Sequence, residues 1–235
     1  MSTIDLKTKD LREWVQQHRL LWGLFLAVVI WLSRLSAEIL FPQWHTPTLD
    51  FYETLPFTLF LLAWFVFFSV GLVGGGIVWL TRASWKELGW HREGLLKAIG
   101  LGVLGFVLNA IAMIPIALIQ GSPEEPPAYM LPSLVRFLLV TFFAFGIAAW
   151  IEENLFRGYL QPLLVKRSNL IMAVFIQAGI FTATHLGYAT GLNLAWIFIS
   201  GLVFGWLRGY HRNIVAPYIA HALGWMMTVF SAPAV

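Results

Sequence analysis

The chain has 235 residues, of which 59% are hydrophobic and only 11% charged. That is far more apolar surface than one soluble core of this length needs to bury, so a bilayer is the natural solvent. Cysteine is absent, which excludes disulfides, thiolate nucleophiles, iron–sulfur clusters and cysteine-ligated zinc. The net charge of +3 would suit an acidic partner, but the placement of the basic residues gives it another meaning.

In chain order, residues 1–18 read as a cytoplasmic amphipathic segment, with Leu11, Trp14 and Val15 at helical spacing among charges, suited to lie along the inner interface. Arg34 and Glu38 interrupt the region where a signal peptide would be cleaved, so the first apolar run is expected to remain as an anchor. Hydropathy predicts about seven transmembrane helices, near 19–41, 55–80, 95–119, 133–153, 168–186, 192–209 and 214–231. No alternating strands of roughly 10 residues suggest an outer-membrane barrel, so the fold class is all-α, a polytopic membrane helix bundle.

Lys7, Lys9, Arg12 and Arg19 precede the first span, and Arg82, Lys86, Arg92 and Lys97 lie between the second and third. Arg157, Lys166 and Arg167 follow the fourth span, and Arg208 and Arg212 separate the sixth from the seventh. The alternate loops, 42–54, 120–132 and 187–191, contain no Lys or Arg. This positive-inside pattern puts the N-terminus in the cytoplasm and the tail at 231–235 outside, and implies no nucleic-acid partner. The loop 121–128 is Pro-rich and acidic, an irregular outer spacer, whereas 85–94 mixes Trp with charges as an interfacial segment does. Gly74, Gly75 and Gly76, with Gly100, Gly102 and Gly105, are expected to permit close helix contact.

Charges inside the spans cost about 2.5–3.5 kcal/mol each on insertion scales and demand a partner, a wet cavity or a function. Arg34 and Glu38, at i, i+4, and Arg136 lie near outer span ends, where local pairing or snorkelling satisfies them. The other group comprises Glu152, Glu153, Arg157, His185 and His221. Glu153 and Arg157 are i, i+4 with the acid N-terminal, the orientation that favours an intrahelical ion pair. Glu152 projects about 100° away, where it can serve as a general base, the alternative being that the two acids only mark the cytoplasmic end of the fourth span.

If the chain turns near Arg167-Ser168, Glu152 lies roughly 23 Å before the turn and His185 roughly 26 Å after it, level on antiparallel helices. His221 lies roughly 12 Å from the next inner turn, near Arg212-Asn213. All three side chains can then meet in the inner half of the bilayer, with Pro162 the position most apt to bend the first arm.

These residues resemble the CPBP family of intramembrane endopeptidases, which includes the CAAX prenyl proteases and the bacterial Abi proteins. The motif Glu-Glu-x-x-x-Arg stands at Glu152-Glu153 through Arg157, and Phe-x-x-x-His at Phe181 to His185. His-x-x-x-Asn is half present, because His221 is followed four positions later by Trp225. The resemblance implies a membrane-embedded peptidase with its catalytic core in 133–231 of a single membrane domain, 19–235, in a bacterial or archaeal plasma membrane. It implies that Glu152 activates the attacking water beside His185, that Glu153 and Arg157 support the site, and that His221 helps stabilise the oxyanion. A peptide or protein substrate would reach the site from the cytoplasmic side.

At Trp225, either the indole N–H replaces the amide donor of the family Asn, or the oxyanion hole is impaired and the protein is slow or non-proteolytic. Glu152, His185 and His221 could ligate Zn²⁺, but the spacing lacks a His-Glu-x-x-His helix and Arg157 disfavours a cation beside Glu153, so metal-free hydrolysis is the expectation. The competing functions are a catalytically weak binding, immunity or scaffold protein, for which Trp225 speaks, and a proton-coupled transporter. An odd span count and the lack of inverted repeats count against transport.

Overall fold

A computed structural model describes residues 3–40, 55–120, 134–187, 189 and 191–227. The outer loop 121–128, the tail 231–235, and the side chains of Glu38 and Arg136 lie outside the described residues. Among the described residues the architecture is all-helical, with a lone β-bridge between Leu186 and Ala189.

The elements are α1 (Thr3–Gln17), α2 (Arg19–Leu40), α3 (Leu55–Phe65, continued in wider π-helical turns over Val66–Trp79), α4 (Trp85–Leu88) and α5 (Leu95–Gln120). A long rod, α6, follows without a break through Leu134–Thr141, Phe142–Ala149, Trp150–Glu152, Glu153–Leu160 and Gln161–Val165. Then come α7 (Leu170–Ala183), α8 (Gly191–His211) and α9 (Val215–Met226).

Among the described residues, five stretches are long and apolar enough to cross a membrane: Arg19–Ala37, Thr58–Trp79, Leu95–Ile116, Phe137–Val165 and Gly191–His211. The other two predicted spans are the shorter α7, of 14 residues, and α9, of 12. Among the described residues the fifth and seventh expected crossings are thus shorter helices, while the sixth is full length. In α7 the cause is a turn at Thr184–Gly187, which halts the helix one residue short of His185. Leu21, Phe25, Leu32, Leu96, Val103, Ile111, Leu138, Ile171 and Phe175 are all exposed along the spans. An apolar outer belt of this kind is stable only against lipid. The chain is an integral, multi-pass membrane protein.

The rod α6 lies at the centre, touching α2, α3, α4, α7, α8 and α9, while α5 packs on α8 and α9. Its Ile147, Ile151, Leu155, Phe156 and Leu160 join Leu26, Ile30, Phe68, Val73 and Ile77 in one core. Two wider π-helical stretches, Phe142–Ala149 and Glu153–Leu160, flank the single turn that carries Glu152, and such turns recur at functional sites. Pro162, which has no N–H to donate, follows the second stretch, and the helix continues past it to Val165.

At the Lys- and Arg-rich end the connections are built from polar side chains. Asn169 caps α7 by accepting from Met172 N–H at 3.0 Å. Ser84 and Glu87 form a capping box on α4, and the Ser84 backbone N–H holds the Glu87 carboxyl below its usual range. Asn213, fully buried, donates to the carbonyls of His91 and Glu93 and so fastens the 85–94 segment to the α8–α9 turn. Trp90 Nε1 donates to Asn154 Oδ1 at 2.8 Å, fastening the same segment to α6.

Gly187 closes the turn after α7 at φ +101°, a conformation that side chains rarely adopt, and a Cβ there would stand 2.6 Å from Leu35. Gly187→Ala should therefore lower stability by about 1–3 kcal/mol, read as a drop in the thermal unfolding midpoint of the protein in nanodiscs.

Candidate active site

Five ionisable side chains from two helices and one turn meet in the interior, and all five are buried: Glu152 and Glu153 on the α6 rod, Arg157 one turn further on, His185 after α7, and His221 in the middle of α9. The level expected from the turn at Arg167-Ser168 is the level at which they meet.

Glu153 and Arg157 form the floor. Arg157 Nη1 donates to Glu153 Oε1 at 3.0 Å, with both side chains fully buried. Arg157 Nη2 reaches the carbonyl of Gly201 on α8 at 3.4 Å. Only glycine fits there, since a Cβ at 201 would stand 2.9 Å from that of Ala178. The guanidinium is enclosed by aromatic faces, its Cζ 4.4 Å from the Phe181 ring centre and 5.3 Å from that of Phe204.

Glu153 Oε1 also receives His221 Nδ1–H at 2.7 Å. A charged carboxylate accepts only, so Nδ1 carries the proton, and His221 Nε2 is then free to accept the Trp225 indole N–H at 3.2 Å. His221 is thus a neutral imidazole held at both nitrogens, with the Phe204 ring stacked on it at 5.1 Å. His185 Nδ1 donates to the Phe181 carbonyl at 2.7 Å, which fixes the same tautomer, and its ring lies 4.7 Å from that of Phe181. Phe181 therefore serves the site through both its ring and its carbonyl.

Glu152 faces away from Arg157, as its angular offset predicts. Its Oε2 lies 3.7 Å from His221 Nε2, and its Oε1 accepts a hydrogen bond from Arg34 on α2. Arg34 Nη1 also lies 3.2 Å from the Thr184 carbonyl and 3.4 Å from the ring of His185. Snorkelling to the outer interface does not occur. In an α-helix the Cα–Cβ bonds tilt toward the N-terminus, so the side chain of Arg34 leans back into the bundle rather than on toward the end of α2.

Beside the two histidines lies a cavity of about 350 Å³, lined mainly by apolar groups including Met113, Phe181, Ile197, Phe204 and Trp225, with Asn109 and Ser200 adding polar atoms. Ser200 Oγ–H donates to Asn109 Oδ1 at 2.9 Å, which ties α8 to α5 along the cavity wall. Arg34, Thr184 and Phe204 are the site residues that sequence reasoning missed. The backward lean of a long side chain in a span could have pointed to Arg34, while nothing in the sequence pattern separates Phe204 from its apolar neighbours.

These features define a class: a multi-pass membrane protein whose interior holds two glutamates, two histidines and an arginine against an apolar cavity. Residues 134–227 match the family described as type II CAAX prenyl endopeptidase Rce1-like, in agreement with the family to which the motifs pointed. No curated protein and no solved structure matches the chain.

Removing one member of the buried floor strands the other. Arg157→Met should cost about 3–5 kcal/mol, measurable as a large fall in unfolding midpoint, and Glu153→Gln/Arg157→Met should recover part of that loss.

Proposed function

We propose that the protein is an intramembrane endopeptidase in which Glu152 activates water for attack on a peptide bond held in the cavity beside His185 and His221. The observation that carries this reading is the division of labour between adjacent carboxylates. Glu153 Oε1 is committed to Arg157 and His221; the second oxygen of each carboxylate accepts no hydrogen bond from the described residues, and that of Glu152 lies 3.7 Å from His221 Nε2, beside the histidines. A carboxylate oxygen kept open in this way can hold a water and take its proton as the water oxygen adds to the carbonyl carbon. The same proton then passes to the leaving nitrogen as the C–N bond breaks, giving a new carboxyl and a new amino terminus.

His185 carries its proton on Nδ1, so Nε2 is an acceptor, facing Arg34 Nη1 at 3.4 Å beside that water. His221 becomes a donor to the oxyanion when the proton taken up by Glu152 shifts to Nε2, 3.7 Å away, on its way to the leaving nitrogen; the bond to Trp225 then opens and the indole N–H is released to donate as well. One positioned donor of this kind is worth about 2.7–4 kcal/mol of barrier. The Lys and Arg distribution supports entry of substrate from the cytoplasmic side.

The chemistry proposed is metal-free. The donor set fits a divalent cation poorly, since Glu152 already faces Arg34 and Glu153 already faces Arg157, and no group of three or more His, Asp or Glu side chains among the described residues could hold a metal ion. Activity should survive dialysis against a chelator with no added metal, and its loss with recovery on Zn²⁺ would reverse this assignment.

A second reading, a catalytically weak protein that binds a membrane partner, is favoured by the bond from Trp225 to His221, which ties up one candidate oxyanion donor with the other. Comparing membrane and secreted peptides from cells carrying wild type, Glu152→Ala and His185→Ala separates the two. Peptidase function predicts cleavage products that vanish in both variants. If no product depends on either residue while the same partner co-purifies with all three proteins, the binding reading stands instead.

A further inference from the structure

Arg34 belongs to α2, a hundred residues before the segment that matches the peptidase family, yet its guanidinium lies inside the site. We propose that Arg34 is a positioning residue, holding Glu152 and His185 in register so that α2 is a working part of the site and not an accessory anchor. The inference rests on the reading of Glu152 as the water-activating group.

Three observations carry it. The guanidinium bridges two elements, with Nη2 on Glu152 Oε1 of α6 and Nη1 on the carbonyl and Oγ1 of Thr184, next to His185. The pair is also shielded, the side chain of Arg34 being 13% exposed and that of Glu152 4%, so the two charges face each other in a low-dielectric setting. Finally, the same face of α2 grips the rest of the turn. Trp31 Nε1 donates to the Leu186 carbonyl at 2.8 Å, and Leu35 fills the space that a Cβ on Gly187 would need. Residues 31, 34 and 35 lie on one side of a helix, so the turn bearing His185 is moulded against α2.

The consequence for Glu152 is a choice between its two oxygens. Oε1 is occupied by Arg34, and Oε2, 3.7 Å from His221 Nε2, is left for water. Without the guanidinium the carboxylate is free to rotate, and the base loses its fixed direction. A lysine could meet Glu152 as a point charge but lacks the fork that reaches Thr184 at the same time.

The test has two arms. The first measures thermal unfolding midpoints in nanodiscs for Arg34→Gln, Glu152→Gln, the double variant, and Arg34→Gln combined with Glu153→Gln. Removing one charge strands its partner, so Glu152→Gln should raise the midpoint of Arg34→Gln, whereas Glu153→Gln should lower it further. Additive losses from Arg34→Gln and Glu152→Gln, or equal rescue by Glu153→Gln, would overturn the pairing. The second arm follows turnover of a peptide that wild type cleaves. Arg34→Gln should lower kcat by about 100-fold, with KM changed by less than about 3-fold, and Arg34→Lys should recover part of kcat. Wild-type kcat in Arg34→Gln would overturn the positioning role. A wild type that cleaves nothing would instead overturn the peptidase reading, and the midpoints would still decide whether Arg34 and Glu152 act as a pair.

Discussion

A guanidinium and a carboxylate buried at zero exposure within a membrane bundle set the terms for everything around them. Neither Glu153 nor Arg157 could sit alone at that depth, and their pairing at 3.0 Å makes the combination close to neutral. A buried ion pair is a weak source of stability but a strong source of geometry, because the lone pairs and N–H groups left over take partners only in fixed directions. Here those directions lead to His221 Nδ1 and to the Gly201 carbonyl, and the flat faces of the guanidinium lead to Phe181 and Phe204. Helices α6, α7, α8 and α9 are thereby placed by one charge pair, and the tautomer of His221 follows from it.

Much of this was legible in the chain, for reasons that can be named. The i, i+4 spacing of Glu153 and Arg157 specifies their contact within one helix, and the angular offset of Glu152 specifies that it looks elsewhere. The level of His185 could be estimated because both arms were measured from one turn, and α6 and α7 do end and begin around Lys166–Asn169. What could not be read were contacts between elements distant in sequence. Arg34 has Glu38 four residues on, and a local partner is the simpler reading, yet its guanidinium meets Glu152 at a separation of 118 residues. The end of α7 was hidden for a different reason. Leu186 and Gly187 extend the hydropathic run, and only the left-handed backbone at Gly187 marks the turn.

The short connections at the basic end carry more structure than their lengths suggest. Asn213 and Asn154, both fully buried, bind the 85–94 segment to the α8–α9 turn and to α6, so the segment is held from two sides directly below the site. Trp90 contributes twice, donating to Asn154 and stacking near Trp150 at 5.2 Å. An interfacial tryptophan here acts as a brace for the helix that bears the two glutamates, in addition to its preference for the headgroup layer.

The early end of α7 has a consequence for the surrounding lipid. Fourteen helical residues rise about 21 Å, whereas the hydrocarbon core of a bilayer is about 30 Å thick. Ile171, Met172, Phe175 and Ile176 present that short helix to the outside. Hydrophobic mismatch of several ångströms along one side of the bundle is relieved by local thinning of the bilayer, at fractions of a kcal/mol per ångström. A bilayer matched to this short helix would bring its polar layer toward the turn that carries His185.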